Sequence, residues 1–103
     1  MLAGVLNKNP NIDIIVEGHT DNIPIKTARY ADNWDLSAAR ASNIVRLLIS
    51  PSFGVNPASV TAAARAEFLP IDTNATPEGR AKNRRTEIIL TPNLGDLYNI
   101  INR

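Results

Sequence analysis

One strand-like run, one long helix-like run and two further strand-like runs follow each other along this chain, and that order excludes most architectures. Ile12, Ile14 and Val16 alternate with Asp13, Ile15 and Glu17. Branched side chains favour extended backbone, and Ile15 implies burial on both faces near the middle of the strand. Residues 34–49 read as a helix, with Asp32 or Asn33 as its cap, Asp35 in its first turn, and Pro51 and Gly54 marking its exit. Residues 59–66 form a weaker strand candidate opened by Val60, and residues 70–76 are turn-like. A short helix is predicted over 77–82, with Thr76 as cap and Pro77 at the first position. In residues 85–90, Thr86, Ile88 and Leu90 alternate with Arg85, Glu87 and Ile89, which predicts a strand; if it already begins there, Arg84 and Arg85 point to opposite faces, with Arg85 at the surface. Residues 1–6 read as the end of a helix whose start is missing, and Leu94, Leu97, Tyr98 and Ile101 recur at helical spacing in a terminal helix. Alternation of this kind predicts an α/β domain with helices packed on a small sheet.

Composition narrows the functions. The 103 residues suit one domain, and 44% hydrophobic with 20% charged residues is globular rather than disordered. The net charge is +1 and the only basic cluster is Lys82, Arg84 and Arg85, so no nucleic-acid surface is expected. The absence of cysteine removes disulfides, thiolate nucleophiles and thiolate metal sites. No apolar run approaches 18 residues, so this segment is not expected to insert into a membrane. Residues 1–11 do not read as a secretory leader; if the protein is exported, its targeting segment lies elsewhere.

The main helix carries an unusual face. At about 100° per residue, Asn33, Ser37, Arg40 and Ile44 share one stripe flanked by Leu47 and Leu48. A packing helix would continue Leu or Ile to its start. Here the N-terminal half offers an amide, a hydroxyl and a guanidinium instead. One explanation is structural: Arg40 lies at the helix edge or pairs with Asp13 or Glu17. Another is suggested by Gly18-His19-Thr20-Asp21-Asn22, directly after the first strand. The carboxyl end of a strand beside a helix start is a frequent ligand position, and glycine there permits a tight turn or close backbone approach. Asp21 can accept from a ligand ammonium and Arg40 can hold a carboxylate with two parallel bonds. Together they would read a zwitterion, although the same two groups could also salt-bridge each other.

Catalysis and metal binding have less support. His19 shares strand parity with Glu17, but no second histidine or cysteine supports them as metal ligands, and no metal or cofactor is expected. Asp21 with Asp32 or Asp35, and Ser37 near His19, lack the elbow and oxyanion features of a hydrolase. The chain is not expected to be an enzyme. Trp34 suits a packing anchor better than a sugar platform.

Three separated blocks carry a family resemblance: Val16-Glu17-Gly18-His19-Thr20-Asp21-Asn22, Asn33-Trp34-Asp35-Leu36-Ser37-Ala38-Ala39-Arg40-Ala41, and Glu78-Gly79-Arg80-Ala81-Lys82-Asn83-Arg84-Arg85-Thr86-Glu87-Ile88. With them the chain resembles the OmpA-like peptidoglycan-binding domain, in the form found at the periplasmic end of flagellar stator B subunits and related envelope proteins. The resemblance implies a two-layer βαβαβ-type sandwich with helices on a small mixed sheet. The domain would occupy residues 1–90, lacking its first strand, and residues 91–103 would be a helical extension. It further implies non-covalent attachment to peptidoglycan in the periplasm, through the diaminopimelate residue of the stem peptide. Asp21 would meet the ammonium and Arg40 the carboxylate; Thr20, Asn22, Asn33 and Leu36 would shape the pocket; Arg84 would close it, with Arg80 a neighbour. The chain departs from the pattern at Ala64 and Ala66, where the family carries glycines. A sheet edge left vacant by the missing strand could pair two copies as a homodimer. A protein-interaction or dimerisation module using that edge and the terminal helix is therefore the alternative function.

Overall fold

The computed structural model describes residues 12–92. The two terminal helices expected from the sequence fall outside the described residues, and so does the expectation about a first strand. Between them the order is β1 (Ile12–Gly18), α1 (Asn33–Ile49), a 3-10 turn (Pro57–Ser59), β2 (Val60–Ala64), α2 (Pro77–Asn83) and β3 (Thr86–Pro92). The sheet runs β2-β1-β3, with β1 parallel to β2 and antiparallel to β3. This is the expected small mixed sheet with packed helices. The helix α1 makes the crossover that a parallel pair requires, and it packs on both strands it connects. No helix among the described residues is long and apolar enough to cross a membrane.

Local chemistry sets the ends of α1. The Asp32 carboxylate accepts from the Asp35 amide at 3.0 Å, and the Asp35 carboxylate accepts from the Ala31 amide at 3.0 Å. Two donors left over at the helix start are thus satisfied almost reciprocally, as in a capping box. At the other end the Ser50 hydroxyl donates to the Leu47 carbonyl, and Gly54 turns the chain at φ +67°. The apolar core lies under the second half of the helix: Ile14, Val16, Ala41, Leu48 and Val55 are buried, with Ile12, Ile44, Val45 and Val60 against them. In the first half the buried helical residues are Asn33 and Ser37.

The short helix α2 begins as expected, with the Thr76 hydroxyl accepting from the Gly79 amide at 3.0 Å and Pro77 in the first turn. Asn83 at its end is fully buried. Its side-chain oxygen accepts from the Ile71 and Asp72 amides at 2.8 and 3.0 Å, and its amide donates to the Asp72 carbonyl and the Asn74 side chain. One side chain therefore supplies the backbone partners of the loop that precedes α2. The Thr73 amide and Lys82 hold the Asp72 carboxyl below the usual carboxylate range, which fastens the same loop. Replacing Asn83 with Ala removes the four hydrogen bonds made by this buried side chain, so a loss of about 3 kcal/mol is expected in urea denaturation. Asn83→Asp, which keeps the acceptor oxygens, should lose less.

Candidate functional site

The mouth of β1 is fastened on both sides beyond the regular strands. The His19 amide donates to the Arg85 carbonyl, the Thr20 amide to the Ala66 carbonyl, and the Arg65 amide to the Gly18 carbonyl, at 2.8, 2.9 and 3.0 Å. His19, Thr20 and Asp21 are consequently buried although they leave the sheet. Ala66 accepts the Thr20 bond from a left-handed conformation, φ +51°, and is itself buried. This is one of the two positions where the resemblance leads one to expect glycine, and the chain keeps the turn while carrying a methyl group there.

The polar half of the α1 stripe has a structural use that the sequence did not reveal. The Asn33 amide donates to the Ile23 carbonyl at 3.2 Å and to the Glu67 carboxylate at 2.5 Å, with the Asp21 carbonyl at 3.4 Å. The Ser37 hydroxyl donates to the Trp34 carbonyl and accepts from the Ala66 amide. Both helical side chains satisfy the backbone of loops that an apolar face would have left unpaired. Trp34, 49% exposed, stacks at a tilt on the exposed Phe68, ring centres 5.5 Å apart.

Three charged side chains converge beside these loops. Asp21 accepts from the Ile23 amide at 3.0 Å through one oxygen and from the Arg84 guanidinium at 2.8 Å through the other. Arg40 donates to the His19 carbonyl at 3.2 Å. Thr20, Asp21, Ile23, Pro24, Ile25, Asn33, Leu36, Arg40 and Arg84 line one cavity of about 260 Å³. One carboxylate faces two guanidiniums, so the lining carries a formal net charge of +1.

Six of the eight residues named from the sequence meet here: Thr20, Asp21, Asn33, Leu36, Arg40 and Arg84. Asn22 is exposed and outside the lining. Arg80 also lies outside it, donating to the Asn74 carbonyl at 3.0 Å and so helping to hold the loop before α2. The apolar wall of Ile23, Pro24 and Ile25 was not anticipated. Two structural alternatives for Arg40 are not realised. Glu17 is held by Arg65, at 3.1 and 3.0 Å, and the partner of Asp21 is Arg84 rather than Arg40. Arg85, expected at the surface, is instead largely covered, with its guanidinium donating to Glu87 and to the Leu69 carbonyl.

A charge network joins β1 and β3. Glu17 on β1 stands opposite Glu87 on β3, a pairing that costs energy if nothing separates the carboxylates. The His19 ring nitrogen Nε2 sits between them, 3.3 Å from Glu17 and 3.4 Å from Glu87. The ligand atoms of these three residues lie within 4.8 Å of one another, close enough to suggest a cation site. The other oxygen of each carboxylate, however, is already paired with Arg65 or Arg85. Two carboxylates matched by two guanidiniums need no further positive charge, and the arrangement reads as an ion-pair tie among the three strands.

Comparison with known proteins agrees with this geometry. The chain is 42% identical over 92 residues to motility protein B of Bacillus subtilis, covering 88% of this chain and 34% of that protein. It spans about a third of the length of that relative. Among solved structures, the cell wall anchor of the type VI secretion system from Pseudomonas aeruginosa is 44% identical with a TM-score of 0.73, over 84% of this chain and 59% of the other. The periplasmic domain of Helicobacter pylori MotB is 32% identical with a TM-score of 0.80, over 98% of this chain and 62% of the other. The model of the OmpA family matches residues 1–84, most of the described sheet and both described helices. The chain belongs to the OmpA family.

Proposed function

We propose that this chain is a cell-wall-anchoring domain that holds peptidoglycan through the diaminopimelate residue of its stem peptide. OmpA-family domains are non-catalytic binding modules of the cell envelope, and attachment to the wall is the function common to the family. Residue assignments follow the family resemblance, supported by the charges of the lining. Asp21 takes the ammonium of the diaminopimelate side chain, Arg40 takes its carboxylate, and Arg84 exchanges Asp21 for a ligand carboxylate. Thr20, Asn33 and Leu36 shape the wall around them, Asn22 contacts the ligand from the rim, and Arg80 holds the neighbouring loop.

The observation that carries this reading is the meeting of Asp21, Arg40 and Arg84 in one cavity, from three separate segments of the chain. Coulomb attraction between unit charges about 4 Å apart is several kcal/mol near a protein surface and about 1 kcal/mol in bulk water, so a partly enclosed zwitterion site gains what an open one does not. The operation of such a domain is binding alone, located on the outer side of the cytoplasmic membrane where the wall lies.

Calorimetry with the tripeptide alanyl-γ-glutamyl-diaminopimelate, together with pulldown on isolated sacculi, tests the reading. Arg40→Ala should reduce affinity at least about tenfold, and Arg40→Lys should also weaken it, because an ammonium cannot reproduce the planar two-bond fork. Unchanged binding by both Arg40→Ala and Arg84→Ala would rule out the cavity as the peptidoglycan site.

A further inference from the structure

Two aromatic rings stand in solvent beside the cavity. Trp34 is 49% exposed and Phe68 63% exposed, and the rings meet at a tilt of 34°. A packing anchor would be covered, whereas each of these rings keeps much of its area open. Contact with each other alone recovers little of the free energy that burying an aromatic side chain makes available. An exposed apolar pair among polar neighbours marks a place of contact with something else. The backbone fixes this pair to the rim of the cavity. Asn33 lines the cavity and its side chain donates to the Glu67 carboxylate. Trp34 follows the first of these residues and Phe68 the second, so each ring is carried one peptide unit, about 3.8 Å between Cα atoms, from a residue of that hydrogen bond. Among the described residues the Trp34 indole N–H has no hydrogen-bond partner.

We propose that Trp34 and Phe68 form a platform for the N-acetylated amino sugar of the glycan strand from which the stem peptide hangs. The inference rests on the reading of the cavity as a diaminopimelate site. Only alanine and γ-linked glutamate separate diaminopimelate from the sugar, and three residues of extended chain span on the order of 10 Å. A stem seated in the cavity therefore holds its sugar at the rim, where these two rings stand. One face of a pyranose presents C–H bonds with partial positive charge, which suit the negative face of an aromatic ring. Its edge presents hydroxyl and N-acetyl oxygens, which can accept from the indole N–H. The wall of Ile23, Pro24 and Ile25 offers aliphatic surface and no ring face. The cavity thus fixes one residue of the stem while the platform aligns the strand that carries it. Two linked contacts favour stems attached to glycan over free peptides of the same sequence.

Calorimetry on the protein compares the bare tripeptide with the same tripeptide carrying the disaccharide of the glycan strand. The parent is expected to bind the sugar-bearing form about fivefold to tenfold more tightly. Trp34→Ala and Phe68→Ala should each lose most of that preference while binding the bare tripeptide within about twofold of the parent, which also shows that both variants fold. Phe68→Tyr, which keeps the ring, should retain the preference; Phe68→Leu, which keeps apolar bulk without a ring face, should not. Trp34 is the single tryptophan, so its emission should change with the sugar-bearing form and little with the bare tripeptide. Equal binding of the two ligands by the parent would overturn the inference and leave the diaminopimelate reading intact. A preference that survives both alanine variants would also overturn it, because the sugar would then lie on another rim. Equal loss of both ligands in those variants would do the same, because the rings would then shape the cavity and not hold sugar. Dimerisation of the parent that Phe68→Ala abolishes, with no sugar preference, would assign the rings to a second copy of the chain instead. Failure of both ligands to bind would overturn the diaminopimelate reading itself, and the inference with it.

Discussion

Asp21→Ala is expected to lower affinity for the free-amine tripeptide by about 30-fold to 1000-fold, the range for truncating one side of a desolvated charge pair. Two effects oppose each other. Removing the carboxylate frees Arg84, which could then hold a ligand carboxylate with nothing to give up. It also leaves a ligand ammonium in a cavity whose only charged groups are the guanidiniums of Arg40 and Arg84. At about 6 Å and an effective dielectric near 20, each such repulsion is worth roughly 3 kcal/mol. One released guanidinium cannot offset two repulsions and a lost attraction, so the net change is a loss.

Asp21→Ala also deprives the Ile23 amide of its acceptor at 3.0 Å, and a shifted loop could weaken binding by itself. Asp21→Asn separates the two causes. The asparagine oxygen still accepts from Ile23, so the loop stays in place, while the charge is gone. Affinity should therefore fall nearly as far in Asp21→Asn as in Asp21→Ala. The ion pair with Arg84 adds little to folding, because the arginine is 43% exposed and screened. Melting temperatures of Asp21→Asn and the parent should accordingly lie within a few degrees. Tight binding by the asparagine variant would show that Asp21 acts through shape and not charge.

The charged residues of the site were legible in the sequence, while its walls were not. Asn33, Ser37 and Arg40 stood out because helical spacing has only one solution, and a polar group on a core-facing stripe conflicts with it visibly. Asp21 stood out because it closely follows a strand and a glycine. Ile23, Pro24 and Ile25 lie in a stretch of fifteen residues, 18–32, with no period, and nothing local shows which way such side chains face. The pairing of Glu17 with Glu87 was hidden for a different reason. Parity placed His19 and Glu17 on one face of β1, but which residue of β3 stands opposite is fixed by the register between strands far apart in sequence. Arg85 was misplaced because alternation was extended to a residue just before the strand; β3 begins at Thr86, and Arg85 is free to turn inward. The reason for the polar stripe could not be read either. Asn33 and Ser37 serve loop backbone at residues 23 and 66, contacts that exist only once the chain has folded.

Gly18→Ala is expected to cost about 3 kcal/mol or more, at or above the upper end for overpacking a core, and to remove ligand binding with it. A methyl group at position 18 would stand 1.9 Å from the Ser37 carbonyl oxygen and 2.8 Å from its carbon. The obstacle is helix backbone, which has no rotamer to change. Relief therefore requires α1 to withdraw from β1 by more than about 1 Å, opening the densely packed interface beneath it. Ser37 lies between Asn33 and Arg40 on the same helix, so the movement also draws the amide and the guanidinium away from the loop that carries Asp21. Gly54 provides the comparison. It has φ +67° with open space around it, so Gly54→Ala incurs backbone strain of only about 1 kcal/mol. Urea denaturation of the two variants should differ by about 2 kcal/mol, with Gly18→Ala the weaker fold, and tripeptide affinity should survive only in Gly54→Ala. A Gly18→Ala protein as stable as the parent would mean that α1 does not sit against β1 at this distance, and the geometry of the cavity would fall with it.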